Sequence, residues 1–190
     1  MPLLEERKSA LAALLKDRSE QVRQTAAQAL EKLDSLGQVD ELLRLLKESG
    51  RGDRIRAIFA LERVSSPRVY PPLLEALKSE DHDIRAAAVQ VLGRKAHPKT
   101  LGHLVRLLKD EQPAVRLHVA EALGHFRDRR LIAYLTPHLA GADEPMALAI
   151  IHTIGRIGVA EAQQTLIACL KDGRAAVREA AARALADLDL

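Results

Sequence analysis

The chain has no tryptophan, two phenylalanines, two tyrosines and one cysteine. The lone Cys169 excludes an internal disulfide framework and any zinc site built on several cysteines. So few aromatic rings leave almost no platform for stacking single-stranded nucleic acid. No apolar run is long enough for a membrane span or a signal peptide, and the N-terminal MPLLEERKSALAALLKD reads as an amphipathic helix starting near Pro2. With so little cysteine, the expectation is a soluble cytoplasmic protein without a membrane partner. A formal charge of +3 does not by itself indicate nucleic acid, which requires clustered cations. There is no glycine-rich phosphate loop and no serine nucleophile elbow, so the chain is expected not to be an enzyme and to carry no cofactor.

What is present is repetition. Leu11, Leu42, Leu73, Leu104, Leu135 and Leu166 lie 31 residues apart, and so do Leu15, Leu46, Leu77, Leu108, Leu139 and Leu170. A third series runs Leu30, Leu61, Leu92, Leu123, Ile154 and Leu185. Each unit holds two amphipathic patterns. The first ends in leucines at i, i+3 and i+4, as in Leu11, Leu14 and Leu15. After a short polar turn the second buries positions such as Val22, Ala26, Ala27, Leu30 and Leu33, with alanines that let helices approach closely. Ala57, Ala88, Ala120, Ala181 and Ala182 extend those central positions along the chain. Gly37, Pro67, Pro98, Arg127-Asp128 and Gly158 are expected to break the chain between units. A hairpin this short cannot bury both apolar faces alone and must stack on its neighbours. The reading is one all-α domain over 1–190, an α-solenoid of six hairpins at about 3–35, 36–66, 67–97, 98–128, 129–158 and 159–190.

Val22 to Leu30 and Val177 to Leu185 read V-R-x-x-A-A-x-A-L, and Ile84 to Gly93 is a close variant of it. This pattern, with the linking segment Pro67 to Leu77, resembles the HEAT-like repeat of phycobilisome lyase subunits across nearly the whole chain. The resemblance implies a right-handed superhelix whose second helices line the concave side. It also implies that the arginine opening each second helix pairs with an acid in a nearby turn. That ladder would comprise Arg23, Arg54, Arg85, Arg116 and Arg178 with Asp17, Glu48, Asp110 and Asp172; direct ligand contact by the arginines is the alternative. The fifth unit departs from the pattern. Gly141 replaces the acid, Ala147 replaces the arginine, His138 takes a leucine position, and Pro137 should shorten the first helix. Neutral drift and a hinge are both open.

The surface left for function is the exposed side of the second helices. One register gives Lys32, Arg63, Arg94, His125, Arg156 and Asp187. The register before it includes Phe59, Gln90, Glu121 and His152, flanked by Ile55, Arg56, Leu117, His118 and Leu148. A basic row with apolar neighbours suits an acidic, partly hydrophobic protein segment. A merely solvated face is the plainer reading. His118, Glu121, His125 and His152 invite comparison with a metal site, but no His-Glu dipeptide occurs, and polar groups on a binding surface are favoured. Cys169, at a leucine position, is expected in the core. The resulting expectation is a protein-interaction scaffold or adaptor. Nucleic-acid binding through the basic row, and an accessory role in a bilin-lyase-like or other enzyme, are the alternatives.

Overall fold

The computed structural model describes residues 2–188, and the side chains of residues 2, 35 and 36 are outside the description; Met1 and the last two residues of the expected domain lie beyond it. Helices α1 (Pro2–Leu14), α2 (Glu20–Glu48) and α3 (Arg51–Leu61) are followed by α4 (Tyr70–Ala76) and α5 (His82–Lys95). Then come α6 (Leu101–Arg106), α7 (Pro113–Leu123), α8 (Leu131–Leu135), α9 (Glu144–Ile157), α10 (Gln163–Cys169) and α11 (Ala175–Ala186). There is no strand among the described residues. Short 3-10 turns lead into α4, α6 and α10, and two of them open on the expected Pro67 and Pro98. The fold is the expected α-helical solenoid.

Second helices α3, α5, α7, α9 and α11 pack in sequence, each against the next. Leu61, Leu92, Leu123 and Ile154 are fully buried along this stack, as are Leu73, Leu104, Leu135 and Leu166 on the first helices. The closest approach is made by glycine. A Cβ on Gly93 would stand 2.5 Å from the Ala122 Cβ, one on Gly124 3.2 Å from Thr153 Oγ1, and one on Gly155 3.0 Å from the Ala184 Cβ. Both sides of this contact recur every 31 residues, so one crossing is used at three successive junctions. At the junction before them Glu62 holds the glycine's register, and the side chain of Lys95 ties the units instead. Its Nζ donates to the carbonyls of Glu62 (2.9 Å) and Val64 (2.8 Å) at the end of α3.

The expected break at Gly37 is absent. Helix α2 runs unbroken through it, joining the second helix of unit one to the first helix of unit two. The other junctions have a physical reason to bend: Pro67 and Pro98 lack an N–H donor, and Gly158 sits in the left-handed region at φ +71°. Gly37 has no positive φ and no neighbouring proline, and α1 packs across it through Leu4 and Lys8. Unit one therefore does not stack on unit two as units three to six stack on theirs. Leu15 is 41% exposed and Ala27 is exposed, much like their counterparts Leu170 (38%) and Ala182 on the sixth unit, whose outer side is not covered by another unit among the described residues. The expected burial of Ala27 and Ala182 thus fails for a shared reason, the lack of a stacked neighbour. The contiguous core accordingly includes buried residues from Ile58 to Ala184, and none from unit one.

The two kinds of glycine make opposite predictions. Gly37→Ala should raise stability by roughly 0.5–1 kcal/mol, because the site is helical and its new Cβ meets nothing closer than Leu4 at 3.7 Å. Gly93→Ala should lower it by roughly 1–3 kcal/mol through collision with Ala122. Chemical denaturation of both variants checks the pair; a destabilised Gly37→Ala would restore the broken helix.

Candidate functional site

The arginine series is built mainly on backbone carbonyls. Arg23 Nη1 donates to the carbonyls of Asp17 (2.8 Å) and Arg18 (3.2 Å). Arg116 Nη1 reaches those of Asp110 (2.8 Å) and Glu111 (3.1 Å), and Arg178 Nη1 those of Asp172 (2.8 Å) and Gly173 (2.9 Å). Arg54 Nη2 reaches the Lys47 carbonyl at 3.1 Å. Each guanidinium thus binds orphan carbonyls at or just beyond the C-terminal end of the first helix of its own unit. The expected acid pairing forms once: Arg85 binds the Ser79 and Glu80 carbonyls through Nη1, while Nε and Nη2 each sit 2.9 Å from a carboxylate oxygen of Asp110 in the next unit.

The remaining acids of the expected ladder do other work. Asp17 and Asp172 accept the N–H two residues on, from Ser19 and Arg174, and so fix the turn. Glu48 faces Arg44 on its own helix. The ladder fails elsewhere because arginine and acid rarely meet at the same junction: Arg54 faces the register of Ser79, Arg116 that of Gly141, and Asp172 that of Ala147. The Arg85–Asp110 pair is almost wholly buried, with side chains 8% and 5% exposed. Desolvation pushes the Asp110 carboxyl up, but the Arg85 hydrogen bonds and the Gln112 N–H outweigh it and hold the group below the usual carboxylate range.

The fifth unit has replacement ties. Thr153 Oγ1 donates to the buried Ala120 carbonyl at 2.7 Å, Thr136 and Thr165 hydroxyls meet at 3.2 Å, and Arg174 Nη1 reaches back to the Ala142 carbonyl at 2.8 Å. Pro137 does shorten the first helix, which ends at Leu135 and continues as a 3-10 turn. Cys169 is half-buried against the core, where burial, then Asp172, push its thiol up.

Every member of the basic row is exposed: Lys32, Arg63, Arg94, His125 and Arg156, with Asp187 at its end. The cations differ in freedom. Arg94 is held 2.8 Å from Glu62 and lies over the Phe59 ring at 5.8 Å, while Arg56 pairs with Asp53 on its own helix. Arg156 Nη2 stands 3.1 Å from His125 Nδ1. Burial, then Arg156 and Arg94, push the His125 imidazole below its ordinary value. Arg63 makes no side-chain hydrogen bond or ion pair among the described residues. Gln90 is half-buried. The register containing Arg56 and His118 is less open than expected: Ala87, Ala149 and Ala180 there are buried at 3%, 7% and 7%, because this side of the helix meets the neighbouring one. Ile55, Leu117 and Leu148 are half-buried and pack on the core.

Five of the expected site residues converge. Leu117, Glu121, Leu148, His152 and Arg156 line a groove of about 430 Å³ between α7 and α9, with Pro145, Ala149 and Thr153 completing it. Glu121 is also 3.3 Å from His118 Nδ1. His125 is not among the lining residues, and among the described residues no cluster of His, Cys, Asp or Glu is suited to a metal ion. A second cavity of about 480 Å³ adjoins the groove through Leu117 and Pro145, at the turn edge around Arg116 and Gly141. Sequence reasoning missed it, having assigned Arg116 to the ladder; the absent acid at Gly141 was the available signal.

Two family models match: "HEAT repeats" over residues 70–147 and 135–190, together well over half of the chain, and "PBS lyase HEAT-like repeat" over 53–79. No curated protein matches in sequence. A chain from the complex of CpcE and CpcF of phycocyanin lyase from Nostoc sp. PCC7120 superposes with TM-score 0.69 at 23% identity, covering 79% of this chain. This chain spans 64% of that one. An engineered protein matches with TM-score 0.57 at 19% identity, covering 96% of both chains. A chain of the Kap95p complex with RanGDP matches with TM-score 0.58 at 17% identity, over 97% of this chain and 28% of that one. These likenesses are of fold. No helix among the described residues is long and apolar enough to cross a membrane.

Asp110→Ala should cost roughly 3 kcal/mol, since it strands the buried Arg85 charge. The Asp110 pKa is lower in the folded state, so its contribution is complete above the unfolded carboxyl range and fades as pH falls through the folded value. Urea denaturation of wild type and variant from neutral pH into the acid range should therefore show the gap narrowing; a gap independent of pH would exclude an ionised pair.

Proposed function

The chain belongs to the HEAT repeat family, and on that premise we propose that it is a non-catalytic scaffold or adaptor that grips an acidic, partly apolar protein segment on its second-helix face. In repeats of this kind that face lines the concave side. The observation that carries the reading is the groove between α7 and α9, where Leu117, Leu148 and Pro145 supply an apolar floor beside Arg156. A segment lying there would meet Arg156 and His125 and could continue along the row towards Arg94 and Arg63. Apolar anchors beside cations suit a partner of opposite charge, the cations steering encounter and fixing register. Nucleic acid fits this surface less well: Glu62 and Glu121 interrupt it, and Phe59 is engaged with Arg94.

A lyase-type accessory subunit is the second reading, favoured by the match to the phycocyanin lyase complex. Capture from native lysate, read by mass spectrometry and visible absorbance, tests both readings. Wild type should enrich an acidic partner, and Arg63→Glu with Arg156→Glu should lose it while leaving the melting temperature unchanged. A linear tetrapyrrole spectrum in the captured material would move the assignment to the lyase type. Equal capture by wild type and the double variant would remove the row from the partner site.

A further inference from the structure

One register of the turns, the position of Asp17, carries Asp110 in unit four and Gly141 in unit five. Arg85 shows what an acid there does: the carboxylate of Asp110 lies across the Nε and Nη2 fork, and Nη1 is left for the carbonyls of its own turn. Arg116 is the next arginine of the series. Its Nη1 binds two turn carbonyls in the same way, whereas its Nε and Nη2 make no hydrogen bond or ion pair among the described residues. Gly141, at φ +73°, brings no side chain to the register that Asp110 occupies one unit earlier. A cavity of about 480 Å³ opens there, walled by Arg116, Leu117, Pro137, Pro145 and Met146.

The protein shows the same consequence once more. Ser79 holds this register opposite Arg54; Arg54 Nε is buried without a partner, and a cavity of about 300 Å³ is lined by both residues. At neither junction does packing close over the position of the missing acid. The cavity at the Arg116 junction is the larger of the two and adjoins the groove on the second-helix face through Leu117 and Pro145. Of the acids nearby, Asp110 is committed to Arg85. Asp143 also lines the cavity, but its Oδ1 accepts the Met146 N–H at 2.9 Å and its charge is felt by Arg174.

We propose that the Arg116 cavity is a receptor for a carboxylate side chain of an acidic peptide segment, which supplies in trans the ladder acid that Gly141 omits in cis. A bidentate guanidinium–carboxylate pair between apolar walls is stronger and more directional than a neutral contact. Leu117, Pro137, Pro145 and Met146 accept the flanking apolar residues of a peptide, which a free small carboxylate does not have. This deepens the scaffold reading, on which it rests, by placing the acidic anchor at the turn edge and the rest of the segment along the groove.

The test uses the purified full chain and the ¹⁵N-edited NMR signal of the Arg116 Nε–H. The probes are N-acetyl-Leu-Glu-Leu-amide, its Gln counterpart and sodium acetate, at matched ionic strength. The Glu peptide should shift the signal saturably and bind roughly tenfold more tightly than the Gln peptide, an advantage that Arg116→Lys abolishes because it keeps the charge but loses the fork. No saturable shift, or equal binding of the Glu and Gln peptides by wild type, overturns the proposal. Acetate binding as tightly as the Glu peptide overturns it as a peptide receptor. Because this readout is on Arg116 alone, a positive result would stand even if Arg63 and Arg156 proved dispensable for partner capture, and a negative one would leave that capture untouched.

Discussion

The structure depends on how closely one second helix can approach the next. Gly93, Gly124 and Gly155 each lie against a residue of the following unit; at Gly93 no Cβ would fit, and at Gly124 and Gly155 one would be tight. That crossing sets the offset from unit to unit, and the leucines then fill the space it defines. The hydrophobic effect supplies the driving force, but it is non-directional and does not choose a register. The glycine contact does, and it repeats three times with the same spacing. The cost of glycine within a helix is offset by the packing it permits at the crossing.

Seen from this constraint, polar ties at the turns are secondary and interchangeable. Arg85 and Asp110 form a buried pair at one junction, Lys95 caps α3 at another, and Thr153 and Arg174 serve the fifth unit. A junction can lose its arginine–acid pair and remain joined, as unit five does. What it leaves behind is a guanidinium edge and a cavity, and the cavity adjoins the surface best suited to a partner. The exposed cations of the second helices do not form an even stripe. Arg94 is spent on Glu62 and Phe59, while Arg63 stays free and Arg156 has His125 as its neighbour.

Much of the fold was legible in the sequence because leucine at a fixed period can hardly mean anything but stacked hairpins. The glycine series has the same period and was equally visible, yet glycine in a helix reads first as a weakness and only a neighbouring backbone shows its use. Gly37 misled in the opposite direction. It stands where a break belongs, but nothing forces the chain to turn there, and helix propensity alone does not decide such a point. The exposed row was readable from helical spacing. The groove was not, because it depends on the offset between α7 and α9 and on Pro145, which no periodicity marks. Asp17, Asp110 and Asp172 lie in the expected turns, whereas Glu48 ends α2, and the partners of all four depended on which residue stood opposite in the adjacent unit.

The stacked register begins at the second unit and carries the order of the molecule. Hydrogen exchange resolved helix by helix tests it most directly. A stack that begins at unit two should give common slow exchange in α5, α7 and α9, with no weak point at the fifth unit, and clearly faster exchange in α1 and in residues 20–34 of α2. Protection of residues 20–34 equal to that of α7 would contradict it, because it would place unit one inside the stack.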